Sequence, residues 1–425
     1  MSAAANDRAD GFAALGLSPT LLKAARELGF VTPTPVQAAA IPAALTGRDV
    51  LASAQTGSGK TLAFAFPILQ QVEGQNIRVN AGAARRPQVL VLVPTRELAA
   101  QAGALMRAVA RCLTVSVRVS ILYGGVSINP QLMALRGGTD VVIATPGRLL
   151  DVVDHNALDL SALRCLVLDE ADRLLDGGFA EELARVLALL PAQRQNLLFS
   201  ATFPAAVQGL SEQLLRDPVR VAIRQDLTLD AEAGERKLIE RAIAVDAARR
   251  TPLLRHLIEQ EAWPRVLVFV ATRYACDHVA DKLRRAGLAA AAFHGDASQG
   301  ARSQALAAFK AGELRVLVAT DLGARGIDIA ELPVVVNYDL PRSTVDYVHR
   351  IGRTARAGAE GLAVSFVSAA TESHFRLIEK RQGCRLKREQ VAGFEPTETV
   401  SPAASTGGVK GRRPSKKDKL RAALK

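Results

Sequence analysis

Apolar residues in this chain come in short unbroken runs, separated by stretches where they recur every three to four positions. VLVLV from Val89, VVIA from Val141, CLVL from Cys165 and LLFSAT from Leu197 are such runs, rich in Val, Leu and Ile. Runs without polar alternation fit strands of a parallel sheet buried on both faces, and the intervening helical period fits crossover helices. The rhythm lapses between about Arg224 and Glu240, where RQDLTLDAEAGERKLIE is polar and reads as a linker. It resumes with VLVFVAT from Val266, AAAFHGD from Ala290, RVLVAT from Arg315, VVVNYD from Val334 and GLAVSFVS from Gly361. The pattern predicts an α/β fold of two tandem domains assembled from βαβ units, over residues 1–222 and 235–385 with a linker at 223–234. Residues 386–425 are expected to form a basic, disordered C-terminal tail.

Length agrees with two domains, because 425 residues exceed the roughly 100 to 200 of one ordinary domain. Hydrophobic residues at 49% and charged residues at 23% suit a globular protein that fills its cores. No apolar run approaches the ~18 residues of a spanning helix. MSAAANDRAD lacks the basic start and apolar core of a secretion signal, so a cytoplasmic location is expected. Cys112, Cys165, Cys276 and Cys384 form no CxxC pair, and the six histidines show no ligand spacing. Both facts argue against a zinc site or a disulfide framework. The net charge of +12 permits a nucleic-acid partner. Residues 401–425 carry eight Lys or Arg against one Asp, with Pro, Gly and Ser interleaved and no aromatic residue. Such a segment builds no core and reads either as a solubilising appendage or as an RNA tether.

Candidate chemistry starts at LVLDEADRLLDG, where Asp169, Glu170 and Asp172 crowd together after an apolar run. An acidic first helical turn is one explanation. A divalent cation is the other, and the stretch SAQTGSGKT favours it. Ala54, Gly59, Lys60 and Thr61 have phosphate-loop spacing, with Ala at the usual first Gly. In such a loop the backbone N–H groups of Ala54, Gln55, Thr56, Gly57, Ser58 and Gly59 cradle phosphates. The lysine reaches the β and γ oxygens and the hydroxyl ligates Mg²⁺. The loop follows the strand-like DVLAS and opens the helical LAFAFPIL, as this motif requires. Asp169 then reads as the Mg²⁺ ligand and Glu170 as the base for the attacking water. Asp172 reads either as a helix-start residue or as a sensor of the nucleotide.

With AQTGSGKT and DEAD both present, the chain resembles the DEAD-box ATP-dependent RNA helicases of superfamily 2, from about Phe12 to about Ser368. PTRELAAQ from Pro94, the pair Gly124 and Gly125, TPGR from Thr145, SAT from Ser200, ATDLGARGID from Ala319 and HRIGRTARAG from His349 keep the family order. LLPAQRQNLLFSATF and VAGFEP are similar to the bacterial RhlE-type subgroup. The resemblance implies two RecA-like domains that close on ATP and Mg²⁺ while gripping single-stranded RNA. GFVTPTPVQ resembles the family's Q motif. There Gln37 offers one donor and one acceptor to the N6/N7 edge of adenine, and Phe30 either packs on that base or belongs to the core.

In the second domain, Arg350 and Arg353 lie three apart and are expected on one helix face, completing the hydrolysis site when the domains close. The resemblance implies that Asp328 binds the ribose, and that Asp172, Ser200, Thr202 and His349 couple the domains. Family members commonly carry Gly where this chain has Ala355. RNA contacts are implied for Pro94, Thr95, Arg96, Gly124, Gly125, Thr145, Pro146, Gly147 and Arg148. In the second domain they are implied for Thr272, Arg273, Gly295, Gln299, Arg302 and Thr320. These residue types bind phosphate and 2′-OH rather than reading bases, and the motifs show no exposed aromatic row. Sequence-independent RNA binding, short-duplex unwinding and ribosomal or messenger ribonucleoprotein partners are therefore expected. An ATP-gated RNA clamp and a DNA helicase of the same superfamily are the competing readings.

Overall fold

The apolar runs fold as strands of two parallel sheets. The computed structural model describes residues 10–54, 58–76, 85–176, 178–222, 238–324, 332–355 and 360–398. The first sheet holds β1 (Val50–Ser53), β2 (Val89–Leu92), β3 (Val119–Leu122), β4 (Val141–Ala144), β5 (Cys165–Leu168), β6 (Gln195–Ser200) and β7 (Val219–Ala222). Its order is β3-β4-β2-β5-β6-β1-β7, with every neighbouring pair parallel. All residues of β2, β4 and β5 are buried, as helices on both faces demand. The strand period of two sorts them into two cores. Val91, Ile143 and Val167 pack with Phe64 and Met106 on one face, and Leu90, Val142 and Leu166 with Leu149 and Leu174 on the other.

The second sheet holds β8 (Leu238–Ala244), β9 (Val266–Val270), β10 (Ala290–Phe293), β11 (Val316–Thr320), β12 (Val334–Asn337), β13 (Gly361–Val367) and β14 (Arg388–Glu389). Its order is β10-β11-β9-β12-β13-β8-β14, again parallel throughout. Among the described residues, 10–222 form one compact unit and 238–398 the other. Among the described residues no helix is long and apolar enough to cross a membrane.

Short polar residues soon after strand ends start the crossover helices. Thr95, Thr272, Ser298 and Ser343 each accept a backbone N–H three residues ahead, from Leu98, Ala275, Ala301 and Asp346. The strand ends of a parallel sheet line one edge, where ligand crevices form.

Four strands depart from the expected pattern. The edge strand β7 interrupts its apolar residues with exposed Arg220, because an edge is partly solvated, and the edge strand β3 carries a buried Ser120. Residues 238–240, at the end of the polar stretch where the strand rhythm lapses, belong to β8, while 223–237 lie outside the described residues. The tail expected from residue 386 is corrected, since 386–398 fold onto the second unit. There β14 pairs with β8, and the Arg388 guanidinium bonds Glu372 and Glu379. Val391 and Phe394 pack on the core, and Asp246 accepts the N–H groups of Thr397 and Glu398. Residues 399–425 lie outside the described residues.

Ala355 holds a left-handed φ of +52°, which costs an L-residue about 1–2 kcal/mol. Glycine avoids that cost but loses about 0.5–1 kcal/mol through its unfolded-state freedom. Ala355→Gly is therefore expected to stabilise the protein by about 0.5–1 kcal/mol. Thermal unfolding checks this, and an unchanged or lower midpoint refutes it.

Candidate active site and nucleic-acid face

The phosphate loop leaves β1 at the sheet's ligand edge. Ala54 N–H donates to Ser200 O at 3.0 Å, joining the loop to the end of β6. Gln55, Thr56 and Gly57 lie outside the described residues, and Ser58 and Gly59 lead into the helix Lys60–Asn76. Lys60 is 5% exposed, and its Nζ has no hydrogen-bond partner among the described residues. Asp169 Oδ1 lies 3.9 Å from it. Burying an ammonium without acceptors is costly, so this one is arranged to meet an anion.

Asp169 follows β5 and is itself buried. Burial raises its pKa from 3.8 to about 6; the Lys60 ammonium opposes the rise and the Glu170 carboxylate adds to it. A bound cation restores the charged form in such a place. Its Oδ1 also accepts the Glu170 N–H at 2.9 Å. Glu170 holds a φ of +53° and is buried. That conformation costs a non-glycine residue about 1–2 kcal/mol and is typical of functional turns. Arg173, one helical turn on, pairs with the Glu170 carboxylate at 3.2 Å. Arg173 belongs to no motif named above, although its i,i+3 spacing from Glu170 signals the pair.

Gln37 sits in the first turn of the helix Pro35–Leu45 and is buried. Its Oε1 accepts the Thr34 N–H at 2.9 Å, and its Nε2 donates to Gly59 O at 3.0 Å. Gly59 has a φ of +91°, and a Cβ there would overlap the Gln37 amide, so glycine is required on two counts. Phe30 is half-buried against the core, while Phe12 lies inside it, edge-on to Phe66.

Asp172 belongs to a closed cluster. Its N–H donates to Ser200 Oγ at 3.2 Å, and its Oδ2 accepts the Thr202 N–H and hydroxyl at 3.1 and 2.7 Å. The Ser200 hydroxyl donates to Thr202 O at 2.7 Å. The acids after β5 and the SAT turn after β6 thus form one network, which a helix-start role alone does not require.

Loops after β2, β3 and β4 also converge. Thr95 caps the helix Arg96–Ala110, next to buried Pro94. The Arg96 guanidinium lies against Gly125, whose φ is +74° and where a Cβ would overlap it. Gly124, by contrast, has open space around it. Arg148 reaches the same loop, donating from Nη2 to Val126 O at 2.8 Å and pairing with Asp151 at 3.4 Å. Thr145 and Pro146, both buried, and Gly147 start the helix that carries it. Arg148 is buried and braces the glycine loop, one of the loops expected to meet RNA.

In the second unit, Thr272 caps the helix Arg273–Arg285, and Arg273 Nη1 pairs with Asp296 at 2.6 Å. Asp296 follows Gly295, which has open space around it, in the loop after β10. Gln299 begins the helix Gln299–Ala311, half-buried. Arg302 on that helix is buried, 4.7 Å above the Phe293 ring, with Nη2 3.3 Å from Gly323 O. Thr320 Oγ1 accepts the Gly323 N–H at 3.1 Å.

Arg350 and Arg353 do not share a helix face. The helix Thr344–Ile351 ends at Gly352, and Arg353 follows in a turn where its N–H donates to Arg350 O at 3.1 Å. Arg350 is 2% exposed. Its Nε and Nη2 donate to the two Asp321 oxygens at 2.6 and 2.7 Å. Nη1 donates to Asn337 Oδ1 and Asp339 O at 3.1 and 2.6 Å. Every nitrogen is engaged within this unit, so Arg350 braces the ends of β11 and β12. His349 lies half-buried on the same helix, and Asp328 falls outside the described residues.

Residues 34–210 match the DEAD/DEAH box helicase family, and residues 249–358 match the helicase conserved C-terminal domain. ATP-dependent RNA helicase DeaD of Mycobacterium tuberculosis (strain ATCC 25618 / H37Rv) is 41% identical over 388 residues, covering 91% of this chain and 66% of the relative. DEAD-box ATP-dependent RNA helicase 30 of Arabidopsis thaliana is 43% identical over 347 residues, 81% of this chain and 57% of the relative. The chain thus spans 57% to 66% of the length of these two relatives. Among solved structures, S. cerevisiae Dbp5 bound to RNA and ADP BeF3 is 30% identical with a TM-score of 0.74, over 90% of this chain and 96% of that one. Mss116p bound to ssRNA and AMP-PNP is 28% identical with a TM-score of 0.75, over 90% of this chain and 79% of that one. Two parallel sheets, the ordered motifs and these matches together place the chain in the DEAD/DEAH box helicase family.

Proposed function

We propose that this chain is an RNA-stimulated ATP hydrolase that couples turnover to local unwinding of short RNA duplexes and to remodelling of ribonucleoprotein, ribosomal or messenger. The observation that carries the proposal is the buried Lys60 ammonium, without a hydrogen-bond acceptor among the described residues, beside Asp169 and Glu170. Relatives named ATP-dependent RNA helicases support the same reading.

Lys60 takes the β and γ oxygens of ATP, and the loop residues between Ala54 and Lys60 offer their backbone N–H groups to the phosphates, the Ala54 N–H itself being held by Ser200 O. Buried Asp169 and the Thr61 hydroxyl suit Mg²⁺, which supplies neutralisation of the phosphate charge when bound. Glu170 accepts the proton of the attacking water, its carboxylate steadied by Arg173. Asp328 takes the ribose, Phe30 borders the base, and Arg353 stabilises the charge of the departing phosphoryl group. The Asp172, Ser200 and Thr202 network joins the acids to the SAT turn and, with His349, couples nucleotide state to RNA grip. Loop residues of both units hold RNA by its backbone, independent of sequence.

Gln37 keeps one amide hydrogen and one lone pair beyond its two protein bonds, enough for an adenine edge. Gln37→Ala is expected to lower the preference for ATP over GTP by about 1–3 kcal/mol. Affinity for both nucleotides also falls, because Gly59 O loses its donor. Dissociation constants for the two nucleotides check this, and an unaltered ratio removes Gln37 from base recognition.

The proposal is tested by ATPase rates with RNA, with DNA and with neither, alongside strand displacement on a short RNA duplex. RNA-specific stimulation with displacement is expected. Stimulation by DNA favours a DNA helicase. ATP-dependent retention on single strands without displacement favours a clamp.

A further inference from the structure

No exposed aromatic row is expected in the motif loops, and none is needed for a single exposed aromatic side chain, Tyr274, to stand beside them. This residue follows Thr272 and Arg273 in the first turn of the helix Arg273–Arg285. It is 77% exposed, the most exposed large hydrophobic side chain among the described residues and the one aromatic in that class. Its ring lies nearly parallel to the His278 ring, at 13° with centroids 5.6 Å apart. His278 stands one helical turn on and is also exposed. His278 lies offset against one side of the ring and leaves the rest of it open to a planar ligand.

The surroundings narrow the ligand. The helix starts just past the end of β9, and the Arg273 to Asp296 pair ties it to the loop after β10. Thr320 closes β11, between these two strands in the sheet. Tyr274 therefore stands on the edge that carries Thr272, Arg273, Gly295 and Thr320, groups suited to phosphate and ribose. An aromatic face among backbone-binding groups is the arrangement by which single strands are held without sequence readout.

We infer that Tyr274, backed by His278, is a stacking platform for one unpaired base of single-stranded RNA. The inference rests on the reading of this edge as an RNA face and deepens it. It adds a contact to a base where the loops offer contacts to the backbone. Purines, with the larger ring surface, bind the platform better than pyrimidines.

The test titrates the full chain with single-stranded oligo(A) and oligo(U) at several salt concentrations. Tyr274→Ala is expected to weaken oligo(A) binding about five- to tenfold, the low end of a base-to-aromatic stack. The salt slope stays unchanged, because stacking releases no counterion. ATPase at saturating RNA also stays unchanged. Tyr274→Phe and Tyr274→Trp retain parental affinity. On an oligomer lacking its bases the parent and Tyr274→Ala bind alike. Parental affinity in Tyr274→Ala, a loss equal on the baseless oligomer, or Phe as weak as Ala would each overturn the platform. Arg273→Ala separates the two levels. A loss there with none in Tyr274→Ala sinks the platform and leaves the RNA face standing, while no loss in either sinks both.

Discussion

Replacing Glu170 by glutamine is expected to slow ATP hydrolysis about 10²- to 10⁴-fold, the usual contribution of a positioned general base. The amide has the shape of the carboxylate and meets the same left-handed backbone, so the turn between β5 and its helix is kept. Asp169 and Lys60 are untouched, and ATP and RNA affinities are expected to stay within about threefold, less than one lost neutral hydrogen bond. Single-turnover hydrolysis, measured beside equilibrium binding of both ligands, checks this. Hydrolysis at the parental rate would remove Glu170 from the chemistry. A joint loss of binding and rate would recast the Glu170 to Arg173 pair as a structural brace.

Arg353→Ala is expected to lower RNA-stimulated ATPase by about 10³-fold or more, as loss of a transition-state arginine does in phosphoryl transfer. ATP binds as before, since the loop, Lys60 and Gln37 belong to the first unit. Arg350→Ala is the instructive contrast. It strips Asp321, whose side chain is 31% exposed, of a bidentate partner, and losing such charged hydrogen bonds costs about 1.5–3 kcal/mol. Unfolding curves and ATPase rates taken together sort the two. Arg353→Ala stays folded under assay conditions but does not turn over, and Arg350→Ala melts well below the parent. Full RNA stimulation in Arg353→Ala would place the charge-stabilising group elsewhere.

Legibility followed the range of the interaction. Central strands such as β2, β5 and β9 are buried on both faces, so their apolar runs stand out in one dimension. β8 does not stand out, because LIERAIA places Glu240 and Arg241 inside a strand. Those charges are tolerated because Tyr347 donates to Glu240 and Arg241 reaches Glu261 and Glu389, partners up to 148 positions away. The segment 386–398 was misread for the same reason. Its polarity resembles a tail until Arg388 meets Glu372 and Glu379.

The phosphate loop and the acid motif were legible together because each is a local pattern and parallel strands bring their ends to one edge. Spacing alone therefore implied that Lys60 and Asp169 meet. Spacing also suggested a shared helix face for Arg350 and Arg353. The helix stops between them, and Asp321, 29 positions earlier, claims the first guanidinium. Likewise the Gln37 amide binds Gly59, 22 positions away, which no local pattern announces. Periodicity and motif spacing arise from the chain's own short-range geometry, so strand runs, motif order and the two-domain α/β plan could be read directly. Burial, partner choice and the exposure of Tyr274 depend on groups that only folding makes neighbours, and there the tertiary structure decided.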